Sequence, residues 1–196
     1  MTGARRFSQA ISEGDGISVI VEVDSPEAAR DAHDAGAEAL FVWSGNEAQL
    51  PAIRGATELP ILFFYDGENA DALQGADACV VDVRDDNEDW LGDVHLTLGD
   101  RFELAFRIAT DERLEFLLER FDPEIFILAE SRNRAASSPE RVLELLPDVP
   151  AGKLAIADIG AQTREEVEEL ERVGIDGVIV AAGNVAELVG AAPPEV

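Results

Sequence analysis

The sequence predicts an α/β fold of one kind: a single compact (β/α)8 barrel, the TIM-barrel architecture, in which eight parallel strands alternate with helices and close on themselves. Three observations lead there. Eight short, apolar, β-branched runs alternate with polar stretches rich in Ala, Glu and Leu, and they begin near Ile17, Ala39, Pro60, Ala78, Phe102, Glu124, Leu154 and Gly177. The seven steps from residue 17 to residue 177 cover 160 residues, a mean of about 23 per unit, close to the shortest workable strand–loop–helix–loop length. The runs are apolar throughout rather than alternating, which is the mark of parallel strands covered on both faces.

Each element carries its own signal. Residues 1–16, with RRFSQAISEGDG, form a helical lead-in, and ISVIVEV is the first strand. Ser25-Pro26-Glu27 places a cap residue before a proline in the first turn of the next helix. ALFVW, PILFFY and ACVVDV supply strands two to four. WLGDVHLTLGD then reads as a poorly defined connection, followed by FELAFRI and EIFILAE as strands five and six. Ser138-Pro139-Glu140 repeats the capping device, and LAIADIG is the seventh strand. Thr163 with Glu166 has the capping-box form, and Val167, Leu170 and Val173 share one face of REEVEELERV. GVIVAA is the eighth strand, and residues 191–196 are a short tail. Gly36-Ala37-Glu38, Gly75-Ala76-Asp77 and Gly174-Ile175-Asp176 each precede a strand, so one αβ turn occurs three times. Residues 1–196 are thus one domain. An open doubly wound sheet is the alternative, but EVDSPEAAR after the first strand has no G-x-G-x-x-G phosphate loop.

Composition narrows the function. Forty-one acids face fifteen bases, for a net charge of −26, so phosphate backbones are repelled and nucleic acid is not an expected partner. The acids are spread along the helices, which points to high-salt adaptation rather than to a basic partner. No apolar run approaches the roughly 18 residues of a membrane span, and no apolar stretch follows Arg5 and Arg6 as a secretory signal requires. A cytoplasmic protein is expected. The single cysteine, Cys79, lies in an apolar run and reads as a buried core thiol. No cofactor is expected, and no His/Asp/Glu spacing resembles a metal site.

In such a barrel the chemistry lies at the C-terminal ends of the strands. The residues there are Glu22, Asp24, Trp43, Ser44, Phe64, Tyr65, Asp66, Asp82, Arg84, Arg107, Thr110, Glu130, Ser131, Arg132, Asp158 and Asn184. Loops after strands seven and eight often hold phosphate through backbone N–H groups, and here they contain Gly160-Ala161 and Gly183-Asn184. His33 reads as a helix-surface residue and His95 as a loop or core residue, with a place at the barrel mouth as the alternative.

RRFSQAISEGDGISVIVEV resembles the opening of indole-3-glycerol phosphate synthases, and LPILFFYDG and GADACVVDV resemble their third and fourth strands. LAIADIGAQTREEVEELERVGIDGVIVAAGN is the nearest stretch, one that related phosphate-binding barrels share in outline. The resemblance implies a lyase of tryptophan biosynthesis, which closes an indole ring on a carboxyanilino deoxyribulose phosphate with lysines as general acids and glutamates to orient and accept protons. The family's first-strand glutamate is kept as Glu22. Its two lysines fall on Asp24 and Phe64, its fifth-strand glutamate on Arg107, and its sixth-strand asparagine on Glu130. A nearby arginine is kept as Arg132. The seventh-strand Glu-Ser-Gly becomes Asp158-Ile159-Gly160, and the eighth-strand glycine and serine become Ala181 and Gly183. The only lysine, Lys153, precedes strand seven, at the opposite end of the barrel.

The expected reading is therefore a divergent, synthase-like barrel without the standard activity. It binds a phosphorylated small molecule at the C-terminal face through Arg107, Arg132, Gly160, Ala161, Gly183 and Asn184. Glu22, Glu130 and Asp158 are the candidate catalytic carboxylates, expected to point inward with Arg107. The alternatives are a structural ion-pair network across the barrel top, a different carboxylate-based enzyme, an active synthase, and a non-catalytic acidic scaffold.

Overall fold

A computed structural model of the chain describes residues 5–14, 16–129, 139–161 and 163–190. Eight parallel strands close into one barrel in sequence order: β1 (Ser18–Glu22), β2 (Ala39–Val42), β3 (Ile61–Tyr65), β4 (Ala78–Asp82), β5 (Glu103–Ile108), β6 (Ile125–Leu128), β7 (Leu154–Ala157) and β8 (Gly177–Val180). β8 returns to β1 with Val19 beside Val178 and Ile20 beside Ile179. All eight expected strands are present. Several begin one residue later than expected, as at Pro60, which has no N–H to give a neighbour.

The helices are α1 (Arg6–Ser12), α2 (Pro26–Asp34), α3 (Leu50–Ala56), α4 (Glu88–Leu98), α5 (Asp111–Arg120), α6 (Pro139–Leu145), α7 (Arg164–Val173) and α8 (Val185–Val189). Ser25 accepts the N–H of Ala28 at the start of α2, and Thr163 and Glu166 close the capping box on α7. Ser138, the expected cap of α6, lies outside the described residues. Three expectations are corrected. Between β3 and β4 only a 3-10 turn, Ala70–Ala72, stands where a crossover helix was expected. WLGDVHLTLGD is not loose: all but its last two residues lie in α4, which buries Leu91, Val94 and Leu98, a stripe obscured in the sequence by Gly92, Asp93 and Thr97. Val173, the last residue of α7, is exposed, so the buried face of that helix ends at Leu170.

Strand alternation divides the core in two. Ile20, Phe41, Leu62, Val80, Ala105, Ile127, Ile156 and Ile179 fill the barrel interior, while Val19, Val21, Leu40, Phe63, Val81, Phe106 and Leu128 pack outward under the helices. α1 closes the N-terminal end: Phe7 and Ile11 enter the interior cluster, and the Glu103 carboxylate accepts the N–H groups of Phe7 (2.7 Å) and Ser8 (3.1 Å). A carboxylate on a strand thus caps a helix almost a hundred residues earlier in the chain, and its charge suits the positive helix end.

The repeated αβ turn has a structural reason. Glu38 accepts the N–H of Val19 (3.2 Å), Asp77 that of Ile61 (2.8 Å) and Asp176 that of Ala155 (2.8 Å). Each acid stands before an even strand and accepts the N–H of the first or second residue of the odd strand beside it. The turn needs glycine most plainly at Gly75, where φ is +111° and an added Cβ would lie 3.0 Å from the carbonyl oxygen of Leu50.

Candidate functional site

The C-terminal mouth is built on the interior positions of the strands. Asp82 and Arg107 are direct neighbours across β4 and β5, and Asp158 follows β7, with its N–H given to Leu128. Alternate strands send side chains into one layer, so β5 and β7 meet across the barrel. Arg107 donates from Nε to Asp158 Oδ2 at 3.0 Å and from Nη1 to Asp82 Oδ1 at 3.3 Å. The side chains of Arg107 and Asp158 are 4% and 1% exposed, so both are almost wholly withdrawn from bulk water. Burial at this depth is tolerable because the guanidinium is paired on two sides.

Of the expected inward cluster, the structure brings Arg107 and Asp158 together. Glu22 ends β1 two positions after the interior residue Ile20 and is half-buried at the mouth. Glu130 and Arg132 lie outside the described residues. Asp82 is visible in the sequence as a strand-end acid, but nothing there pairs it with Arg107; the 78, 80, 82 alternation carries that signal once the β4–β5 register is known. Lys153 is at the opposite end, as expected, where Nζ reaches Asp122 at 3.0 Å and Glu124 at 3.2 Å. The hydrogen bond that it donates to the Asp122 carboxylate is the main reason its ammonium is held above its usual range. His33 is exposed on α2 with Nδ1 3.2 Å from Thr57 Oγ1, and His95 is on the exposed face of α4, neither in a loop nor at the mouth.

The loops after β7 and β8 are neighbours because those strands pair. Gly160 has φ +64° and Ala161 is buried. Gly183 and Asn184 lie in an exposed 3-10 turn, Ala182–Asn184, and line a cleft of about 380 Å³ against Ala28, Asp31 and Ala32 of α2. The first turn of α7 is already served by its capping box and carries Glu165 and Glu166, which repel an anion. An anion in this region is therefore better placed on the β8 side.

A second cavity, of about 390 Å³, lies off the barrel axis on the β2–β5 side, lined by Trp43, Ser44, Phe64, Tyr65, Asp66, Asp82, Arg84, Trp90 and Arg107. Phe64 and Trp43 meet with ring centroids 4.9 Å apart, and Trp43 packs edge-on against Phe41. Aromatic rings thus occupy the position at which the resemblance expects a catalytic amine. Sequence reasoning misses Trp90, because its helix has the look of a connection. Burial pushes the Tyr65 phenol above its usual range, so the hydroxyl stays protonated, and burial pushes the Cys79 thiol up to about 12. Among the described residues no group of three or more His, Cys, Asp or Glu side chains is arranged to hold a metal ion, and no helix is long and apolar enough to cross a membrane.

No family model matches the chain. It is 27% identical over 159 residues to the indole-3-glycerol phosphate synthase of Geobacillus sp. (strain WCH70), a match covering 74% of this chain and 62% of that relative's length. A thiamine phosphate pyrophosphorylase from Pyrococcus furiosus has a similar structure, with a TM-score of 0.66 and 14% identity over 88% of this chain and 90% of that one. The first is a distant sequence similarity, and the second is a likeness of fold.

Proposed function

We propose that the chain is a divergent barrel of the indole-3-glycerol phosphate synthase type that lacks synthase chemistry and binds a phosphorylated small molecule at its C-terminal face. The observation that carries the first half is the mouth itself: Arg107 stands fixed between Asp82 and Asp158, with Phe64 and Trp43 beside it, and the single lysine is paired at the far end. Ring closure with loss of water and carbon dioxide needs proton donors near the reacting carbons. An arginine stays protonated and a phenylalanine has no proton to give. Each missing general acid or base costs about 10²–10⁴ in rate, so two losses leave almost no turnover. A fully buried and paired Asp158 is better suited to holding Arg107 than to exchanging protons with a ligand.

The phosphate half rests on the adjoining loops after β7 and β8, which contain Gly160, Ala161, Gly183 and Asn184; loops at this place in such barrels often bind phosphate through backbone N–H groups. The surrounding acids, Asp31 and Glu187 among them, make that site weak and salt-dependent. Two experiments test the reading. The purified chain is assayed with the synthase's substrate and expressed in a tryptophan auxotroph lacking the synthase; no turnover and no growth are expected, and rescue sinks the proposal. Inorganic phosphate is then titrated while the amide signals of residues 160–161 and 183–184 are followed. An added Cβ at Gly183 meets nothing within 4 Å, so Gly183→Asp leaves the fold intact and is expected to abolish those shifts. Shifts elsewhere, or none, refute the phosphate site.

A further inference from the structure

We infer that the off-axis cavity between β2, β3, β4 and α4 is a second ligand site, distinct from the phosphate loops, and that it takes a free aromatic α-amino acid in its zwitterionic form. The cavity combines four aromatic side chains with polar ones, among them two charges of opposite sign that the protein leaves available. Tyr65 and Trp90 lie nearly parallel, at 10° with centroids 6.4 Å apart, and Trp43 and Phe64, with centroids 4.9 Å apart, also line the cavity. Trp90 packs close to Gly67, where an added Cβ would come within 3.1 Å of the indole nitrogen. Flat walls of this kind favour a planar ring.

The charges separate into committed and available. Arg107 and Asp82 at the cavity wall are paired with each other, so they present little net charge to a ligand. Arg84 makes no ion pair and no side-chain hydrogen bond among the described residues; only its backbone N–H is used, given to Asn87 Oδ1 at 2.9 Å. Asn87 is 5% exposed and also donates to the Asp82 carbonyl at 2.8 Å, so the loop that carries Arg84 is set before any ligand arrives. Asp66 uses one oxygen for the N–H of Glu68 and has no partner for the other among the described residues. A free guanidinium suits a carboxylate and a free carboxylate suits an ammonium. A phosphate dianion would gain Arg84 but face Asp66 and Asp82, in a chain whose net charge is −26, so a ligand that is neutral overall is favoured.

The protein supplies its own reporter, because both of its tryptophans, Trp43 and Trp90, line this cavity. Tryptophan emission is followed during titration with L-phenylalanine, with phenethylamine (which lacks the carboxylate) and with 3-phenylpropionate (which lacks the ammonium). L-Phenylalanine is expected to give a saturable change and to bind about tenfold or more tightly than either truncated compound, as the loss of one charged hydrogen-bond partner implies. Arg84→Gln is expected to weaken L-phenylalanine by a similar factor and to leave phenethylamine unchanged. Asp66→Asn, which keeps the acceptor for Glu68, is expected to do the same with respect to 3-phenylpropionate. Both side chains are exposed, so the variants keep the wild-type melting midpoint. Absence of a saturable change, equal affinity for the three compounds, or equal weakening of all three by Arg84→Gln overturns the inference. Phosphate titrated against the same samples reports separately on the loops after β7 and β8, so either proposal can fail while the other stands.

Discussion

Removing the cation from the barrel mouth is the most decisive perturbation of this structure. Arg107→Met keeps the length and much of the apolar stem of the side chain but takes from Asp82 and Asp158 the guanidinium that they share. The substitution deletes hydrogen bonds of 3.0 and 3.3 Å, and the side chains of Arg107, Asp82 and Asp158 are 4%, 11% and 1% exposed. Breaking a buried pair by deleting one partner typically costs about 3–5 kcal/mol, because the partner stays behind, desolvated and uncompensated. For a chain of this size each kcal/mol moves the thermal midpoint by about 2–4 °C, so the midpoint is expected to fall by roughly 6–20 °C. Thermal denaturation followed by circular dichroism or calorimetry measures this directly. The triple variant Asp82→Asn, Arg107→Met, Asp158→Asn removes the charges together and is expected to recover most of the loss, since neutral replacement of a buried ion pair is often tolerated. A fall of less than about 2 °C for Arg107→Met would be the behaviour of an exposed ion pair. It would refute the description of the mouth as a buried charge network.

Phe7→Ala empties part of the plug at the N-terminal end of the barrel and is expected to cost about 3–5 kcal/mol in chemical denaturation; a change below about 1 kcal/mol would show that α1 is dispensable. Gly177→Ala places a methyl 3.3 Å from Ile20 and 3.4 Å from Ile156 inside the barrel, and a loss of about 1–3 kcal/mol is expected from the overpacking. Cys79, with its thiol raised from 9.0 to about 12, is expected to resist thiol reagents at about pH 8 in the folded protein and to react promptly once denatured. Because the folded value lies above the unfolded one, its contribution to stability is intact below pH 9.0 and declines as pH rises toward 12; melting midpoints that rise across that interval would contradict the assignment. We further propose that the net charge of −26 is an adaptation to high salt, so added sodium chloride is expected to raise the midpoint steadily by screening self-repulsion. Midpoints that do not respond to salt would favour a dedicated basic partner.

The architecture is legible in the sequence alone. Eight apolar runs at nearly even spacing admit few arrangements, because parallel strands need crossovers and most crossovers here are about as short as a helix permits. The αβ turn was legible too, since a glycine followed two residues later by an acid solves one local problem wherever it occurs, as Glu38, Asp77 and Asp176 do. Arg107 and Asp158 were legible as inward-facing residues because alternation along a strand is a local property. Which of these residues touch became clear only in three dimensions. The pairing of Asp82 with Arg107 depends on the register of β4 against β5, and that of Arg107 with Asp158 on the curvature that closes the sheet. The aromatic cavity depends on Trp90, carried by a helix whose glycine and polar residues mask its periodicity. The difference is one of range: capping, turns and alternation are set within a few residues, whereas contacts across a barrel are made by strands far apart in the chain and exist only after it has closed.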